Sequence, residues 1–529
     1  MSAIITDNMR LLNAKNFVVG ITTSTGSYYT FLGLTNSTDY VSDWEADPPR
    51  PRDSFDQEND YWDTMISLKK INPSDVMFVI PKITWSSGTK YDMYRHDYSS
   101  GNLAPVSKST NLYSSYFYVM NREFRVYICL QNGTNGDNPD GRPSLDEPTF
   151  TDLEPRVAGS SGDGYIWKYL YTLNPYDIIK FDSTKFIPVP SDWETADAYS
   201  VIRDNAVDGS IKVVTITEKG SNVGPSNVQY PGIPIKGDGE GAFCTITVDE
   251  NSEVTNVEVS SQGSGYTYGS LDLESAGFPT ASIRPQFDVI IPPQGGHGYN
   301  IYKELGAYNV LLYARIDNNE QNPDFVMSNK LARVGIVESP TEYNSNTVLN
   351  KDRVSAVGAL KLTGIGYSTA TFENNSRISQ TVSAGNTAHG RVVSYNQTTG
   401  VLKYWQDRSL VGFNTYPYSN VDPELYNNNP EYGFELLSFT NLPDEASGGS
   451  LNIVPTNGSN TELFIDAAYS GISTTLNNNR TYYHGLSFVN GIALPEVKKH
   501  SGNIIYVDNR PSIIRSSNQK EDIKIVLQF

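Results

Sequence analysis

Short runs of Val, Ile, Tyr, Phe and Thr recur along the whole sequence, broken every few residues by clusters of Gly, Asn, Asp, Ser and Pro. This punctuation constrains the fold more than any other feature. β-Branched and aromatic side chains suit a pleated, half-buried surface, whereas the interrupting residues supply positive φ or hydrogen-bond their own backbone in turns. The pattern predicts a mainly β chain with some α. With 38% hydrophobic and 19% charged residues, the chain has enough apolar surface for packed cores and does not have the composition of a disordered polymer. Its 529 residues suggest about three or four domain-sized units.

Helices are expected in few places. The best stretch is 56–71, where Trp62, Met65 and Ile66 fall on one face at i, i+3 and i+4 and Pro73 stops the helix. Asn174 and Pro175 supply a cap and a first-turn proline for a second helix over 176–181. Strands are expected over 76–80 and 165–173. A hairpin should join 391–395 to 401–405 through Asn396-Gln397-Thr398-Thr399-Gly400. Residues 523–529 alternate like a strand that pairs with another.

Two stretches differ in character from the rest. Within 200–280, residues 211–222 match 254–265 at an offset of 254 − 211 = 43, each copy placing a β-branched alternation before a Gly-Ser turn. Two copies are too few for a solenoid, so the expectation is an inserted β module, a small sandwich or barrel built from two similar hairpins. The Asn-, Ser-, Thr- and Gly-rich stretch 343–490 reads as a second inserted all-β module, because long structureless segments are uncommon in compact proteins.

Charge narrows the partners. Lys and Arg number 40 against 59 Asp and Glu, a formal net charge of −19, and no basic patch stands out. Such a chain repels phosphate backbones and anionic lipid surfaces, so no nucleic acid is expected as partner. Residues 1–10 show no basic segment followed by an apolar run, and nowhere do eighteen apolar residues occur together, so neither secretion nor membrane insertion is expected. Cys129 and Cys244 are too few for a disulfide framework and read as free thiols in strands.

The search for chemistry returns little. His96, His297, His389, His484 and His500 show no zinc-type spacing and read as surface or loop residues. Asp43, Glu45 and Asp47 around Trp44, followed by Asp53, Asp56 and Glu58, invite a glycosidase reading, but nothing in sequence sets the separation or the raised pKa that a general acid needs. Gly237-Asp238-Gly239-Glu240-Gly241 carries carboxylates that would repel phosphate and reads as a turn; the ligand spacing of an established calcium loop is lacking. No catalytic residue, metal or cofactor is expected. What remains is aromatic wealth, 35 Tyr, 20 Phe and 6 Trp, which suits large protein interfaces and equally suits carbohydrate platforms.

An ordered set of motifs goes further. The strongest are Gly162-Asp163-Gly164-Tyr165-Ile166-Trp167-Lys168-Tyr169-Leu170 and the segment from His500 through Gly502, Tyr506, Asn509, Arg510 and Pro511, continuing in register to Phe529. Supporting segments are Pro48, Pro49 and Pro51 beside Trp44, the Trp62 helix, 79–85 ending in Trp85, and 334–340. Together they resemble the gene-eight baseplate wedge family of T-even-like contractile-tailed bacteriophages, over 15–195, 285–342 and 495–529. The resemblance implies a discontinuous α+β core formed by 1–195, 285–342 and 495–529, from which the two β modules emerge as insertions. It further implies a non-enzymatic virion protein of the tail baseplate, made in the host cytoplasm, which forms a homodimer and contacts other baseplate wedge proteins. The alternative is a carbohydrate-binding tail adhesin or polysaccharide hydrolase.

The motif residues have physical readings of their own. Pro48 to Pro51 stiffen an extended arm that docks either on its own domain or on a neighbour. Gly162-Asp163-Gly164 turns the chain into a strand with Tyr165, Trp167 and Tyr169 on one face. Arg510 beside Pro511 is a candidate for bidentate binding of a buried carboxylate.

Overall fold

The computed structural model describes residues 4–23, 26–35, 44–135, 137–317, 329–383, 386–407, 437–441, 452–455, 462–515 and 519–529. Strands make up 42% of the chain and helix 11%, so the fold is mainly β with a few helices, as the punctuation predicts. The chain divides into two compact units, both discontinuous. One comprises Met1–Val18, Met77–Leu311 and Ile525–Phe529, and the other Val19–Val76 and Leu312–Lys524. The 200–280 stretch therefore belongs to the first unit and the 343–490 stretch to the second.

In the first unit, an antiparallel sheet runs in the order Tyr118–Met120, Arg125–Asn132, Tyr165–Thr172, Arg156–Val157. Bulges at Val126/Tyr127 and Cys129/Gln131 bend the pairing of its two long strands. The helix Pro175–Phe181 follows as expected, with the Asn174 side chain accepting from the Tyr176 amide.

The repeat region departs from the expected pair of similar hairpins. Its second copy lies in Val254–Ser264, which pairs with Glu240–Val248 in a sheet completed by Gln229–Gly237 and Gly269–Leu271. The first copy, Val214–Glu218, pairs instead with Gln286–Val289. After Glu218 the chain is tied to 282–283, the Ser221 amide donating to the Ile283 carbonyl and the Ser282 amide to the Ser221 carbonyl, so it does not fold back on itself. What the copies share is a core: Val214 and Ile216 of one and Val254 and Val257 of the other are buried in the same aliphatic cluster. Residues 238–239 form the tight turn between Gln229–Gly237 and Glu240–Val248, and Asp238 accepts from the amides of Thr267 and Tyr268. Cys129 and Cys244 are buried free thiols in strands.

In the second unit, an antiparallel five-stranded sheet is ordered Arg353–Ser355, Met65–Lys70, Tyr28–Leu34, Lys330–Glu338, Asn503–Ile514. The helix expected over 56–71 is half right. It spans Phe55–Thr64, and Met65 turns into a strand that pairs with Tyr28–Leu34. Met65, Ile66, Ser67 and Leu68 are all buried, and a short apolar run buried on both faces has no periodicity to separate it from a helix. A larger sheet carries the expected hairpin, Asn386–Asn396 with Val401–Trp405, where Asn396 faces Val401. The last strand, Glu521–Gln528, lies beside Asn309–Ile316, and the division between the units falls within both strands.

Three α-helices among the described residues were not anticipated, Asp7–Thr22, Asp197–Asp204 and Ile301–Leu305. Asp7–Thr22 buries Ala14 and Ile21 on one side while Met9, Leu12 and Val19 are exposed on another. With apolar residues on both faces, its sequence carries no amphipathic period to detect.

Candidate functional site

The motif residues gather into two clusters, one in each unit. In the first unit, Gly164 takes φ +85°, and a Cβ there would lie 2.8 Å from the Cα of Gly133, so only glycine lets the two loop segments touch. Asp163 holds the turn by accepting from the amides of Leu145, at 2.9 Å, and Tyr165, at 3.0 Å. Tyr165 and Trp167 then stack with centroids 5.3 Å apart, and Tyr91 packs edge-on against both. Tyr169 meets Tyr127 and stays half-buried, and Gly162 has open space around it. The Tyr165 hydroxyl donates to the Arg142 carbonyl and accepts from the Tyr91 amide. Trp85 joins through Ser144, which accepts from its indole N–H at 3.0 Å. Lys168 is buried and donates to the Leu153 carbonyl, and burial depresses its pKa. Every one of these contacts is internal to the unit.

The second cluster is built on a residue that the motif reading passed over. Arg333, on Lys330–Glu338, is 1% exposed. Its Nε donates to Asn509 Oδ1 at 2.9 Å, and Nη1 donates to Thr64 Oγ1 at 2.5 Å. Nη2 lies 3.4 Å from Asp60 Oδ2, while the guanidinium sits over the rings of Tyr61, at 4.7 Å, and Trp44, at 5.7 Å. Burial lowers its pKa and Asp60 opposes that shift. Asn509 donates onward to the Pro49 carbonyl at 2.8 Å, and the Trp44 indole donates to the Arg510 carbonyl at 2.9 Å. The proline arm, with Pro48 and Pro51, therefore docks on its own chain. Tyr61 pins it further, accepting from the Arg52 amide and donating to the Arg52 carbonyl.

The remaining motif residues extend this cluster. His500 Nε2 lies 3.4 Å from Asp63 Oδ1, and its ring is 5.9 Å from that of the fully buried Trp62. Gly502 takes φ +76°, where a Cβ would strike the Glu338 carbonyl at 2.3 Å. Tyr506 faces Ile336 across the strand pair and is half-buried. Pro511 is accommodated because Asn503–Ile514 is an edge strand whose register skips between Leu331 and Arg333.

Arg510 requires a correction. Its side chain is 70% exposed and pairs with the neighbouring Asp508, with Nε 2.5 Å from Oδ2, so it reaches no buried carboxylate. The guanidinium buried among these segments is that of Arg333, which shares a strand face with Gly335 and Val337; Leu331, beyond the bulge between Leu331 and Arg333, is buried in a different cluster on the other face.

Two histidines also depart from expectation. His484 is buried within the strand Thr481–Phe488, near Thr474 Oγ1 at 2.9 Å, and His389 is half-buried in Asn386–Asn396. Burial, then the charges of Lys361 and Lys403, push the His484 pKa down to about 4. His297 sits in a turn but is buried, with Nδ1 2.6 Å from Glu304 Oε1. Among the acids that invited a glycosidase reading, Asp43 lies outside the described residues. Glu45 is held below the usual carboxylate range by Ser512 and Lys330, opposite to what a general acid requires.

A cleft of about 570 Å³ opens in the second unit, in the size range of ligand sites. Its lining includes Tyr343, Tyr404, Trp405, Asp63, Lys498 and His500. A smaller groove of about 280 Å³ runs between Pro51–Ser54 and residues 504–507 of the edge strand. Among the described residues, no group of three or more His, Cys, Asp or Glu could hold a metal ion, and no helix is long and apolar enough to cross a membrane. No family model matches the chain, and no curated protein is significantly similar to it.

Proposed function

We propose that the chain is a structural subunit of the baseplate wedge of a contractile-tailed bacteriophage, acting as a homodimeric bracket between neighbouring wedge proteins during tail assembly and contraction. One observation carries this reading. Segments around 44–64 and 500–511, which carry motif residues, converge on Arg333, the residue just before the motif 334–340, and the Trp44–Arg510 contact closes a separation of 466 residues. This latch makes a rigid support for an edge strand that leaves Ile505, Ile513 and Ile514 exposed. A braced, partly apolar edge is what a bracket needs to hold a neighbour. Large interfaces of this kind hold before contraction, and some rearrange when the baseplate opens.

Inactivating the gene and imaging the particles tests the proposal: tails should lack complete baseplates and regain them on complementation. Normal, infective tails without the protein would overturn it. The cleft favours a second reading, a carbohydrate-binding tail adhesin or polysaccharide hydrolase, since Tyr343, Tyr404 and Trp405 line it beside Asp63 and His500. A glycan array probed with wild-type protein and Asp63→Asn separates the two; binding lost in the variant would favour the adhesin.

A further inference from the structure

We infer that the outward face of the helix Asp7–Thr22, with the turn before it, is a self-association surface that lies side by side with the same helix of a second copy. The inference deepens the homodimeric reading above, and rests on it, by naming a surface.

Ile5, Met9, Leu12, Asn16 and Val19 follow one another at spacings of four, three, four and three residues, the 3.5-residue repeat of a two-stranded coiled-coil seam. The four apolar members are 49% to 66% exposed, and Asn16 is exposed too. The other side of the helix is already used. Ala14 is buried, Phe17 meets Phe529 with centroids 5.4 Å apart, and Arg10 lies over the Tyr308 ring. A helix apolar on two sides belongs between two partners, and among the described residues the fold covers only one of them.

The second copy is singled out by the polar member and by charge. A lone Asn in such a seam is costly against any apolar partner, but its amide is self-complementary, donor to acceptor, when it meets its own counterpart across a two-fold axis. With Asn16 facing its counterpart, a parallel pair also sets Ile5, Met9, Leu12 and Val19 against themselves, whereas an antiparallel pair would leave Ile5 and Met9 beyond the end of the facing helix. The seam is flanked by Thr6, Asn8, Asn13, Gly20 and Thr22, all uncharged. The one flanking charge, Lys15, is turned away from it, with Nζ 2.8 Å from Glu194 and over the Tyr302 ring. In a chain of net charge −19, two copies meet with least repulsion along a stripe like this. The exposed apolar area is roughly 400 Å² per copy, about half of a standard interface, so the pair should be reversible and concentration-dependent.

Sedimentation of the full chain across concentration reads this directly. Wild type should pass from 58.6 kDa toward twice that mass, and Met9→Glu with Leu12→Glu should weaken the association at least about 100-fold while leaving the melting temperature unchanged. Asn16→Cys should give a reducible dimer on mild oxidation, since both native cysteines are buried. A double-glutamate variant that dimerises like wild type would overturn the inference and leave the homodimer standing on another surface. Wild type that stays monomeric throughout would overturn it as well and assign the helix face to a different protein. An Asn16→Cys chain that never cross-links would overturn the pairing of Asn16 with its own counterpart.

Discussion

The two strongest motif strands are held in different ways. Tyr165–Thr172 lies between two neighbours, buries Tyr165, Trp167, Leu170 and Tyr171, turns the Tyr165 and Tyr171 hydroxyls onto backbone carbonyls and stacks the Trp167 ring on Tyr165. Asn503–Ile514 is an edge strand with only Asn509 buried, fastened by side chains that reach it from Trp44, Glu45 and Arg333. An interior strand is specified by ring packing and by one glycine. An edge strand needs directed polar contacts, because half its surface has no partner within the unit. The first arrangement spends its side chains inside the unit, and the second leaves an exposed edge.

Substitutions test that contrast in descending order. Trp167→Ala should cost about 3–5 kcal/mol, through lost burial and the cavity left in the ring stack; chemical denaturation followed by circular dichroism would show it. Arg333→Ala should cost about 2–3 kcal/mol, because Asn509, Thr64 and Asp60 lose a shared buried donor. The same experiment checks it, and a smaller loss than for Arg510→Ala would break the distinction between the two arginines. Trp44→Phe removes one donor to the Arg510 carbonyl and should cost about 1 kcal/mol. Amide exchange near 510 should rise in that variant and stay unchanged near 167. Arg510→Ala, at an exposed ion pair, should shift stability by no more than about 0.5 kcal/mol.

The smallest effect is that of pH on Glu45. Its folded pKa lies below the ordinary value of 4.5, so its contribution is present above that value and lost as pH falls through the folded pKa. The melting difference between wild type and Glu45→Gln should therefore shrink as the solution is acidified from neutral to below pH 4.5. A difference that grew with acid would contradict the sign.

Legibility followed local chemistry. Asn174-Pro175, the hairpin at 396–400 and the strands beside both expected helices were visible because caps, turns and alternation act over a few residues. Other features were not, three of them for a physical reason. Met65–Lys70 reads as helix or strand until its partner strand is known, and that partner is set by tertiary pairing. The helix Asp7–Thr22 hides its period by being apolar on two sides. The repeat in 211–222 and 254–265 records a common core-facing alternation but not the pairing partner, which depends on where the chain goes next. At the site, proximity to Pro511 made Arg510 conspicuous, yet burial is decided by position in the sheet: Arg333 lies on an interior strand buried on both faces and Arg510 on the edge strand.

The most direct measurement is quantitative mass spectrometry of tails purified from the particles whose genome encodes this chain. A bracket of the baseplate wedge should be present in fixed stoichiometry with the other wedge proteins and should remain through salt washes that strip loosely bound material. Its absence from intact tails would contradict the account.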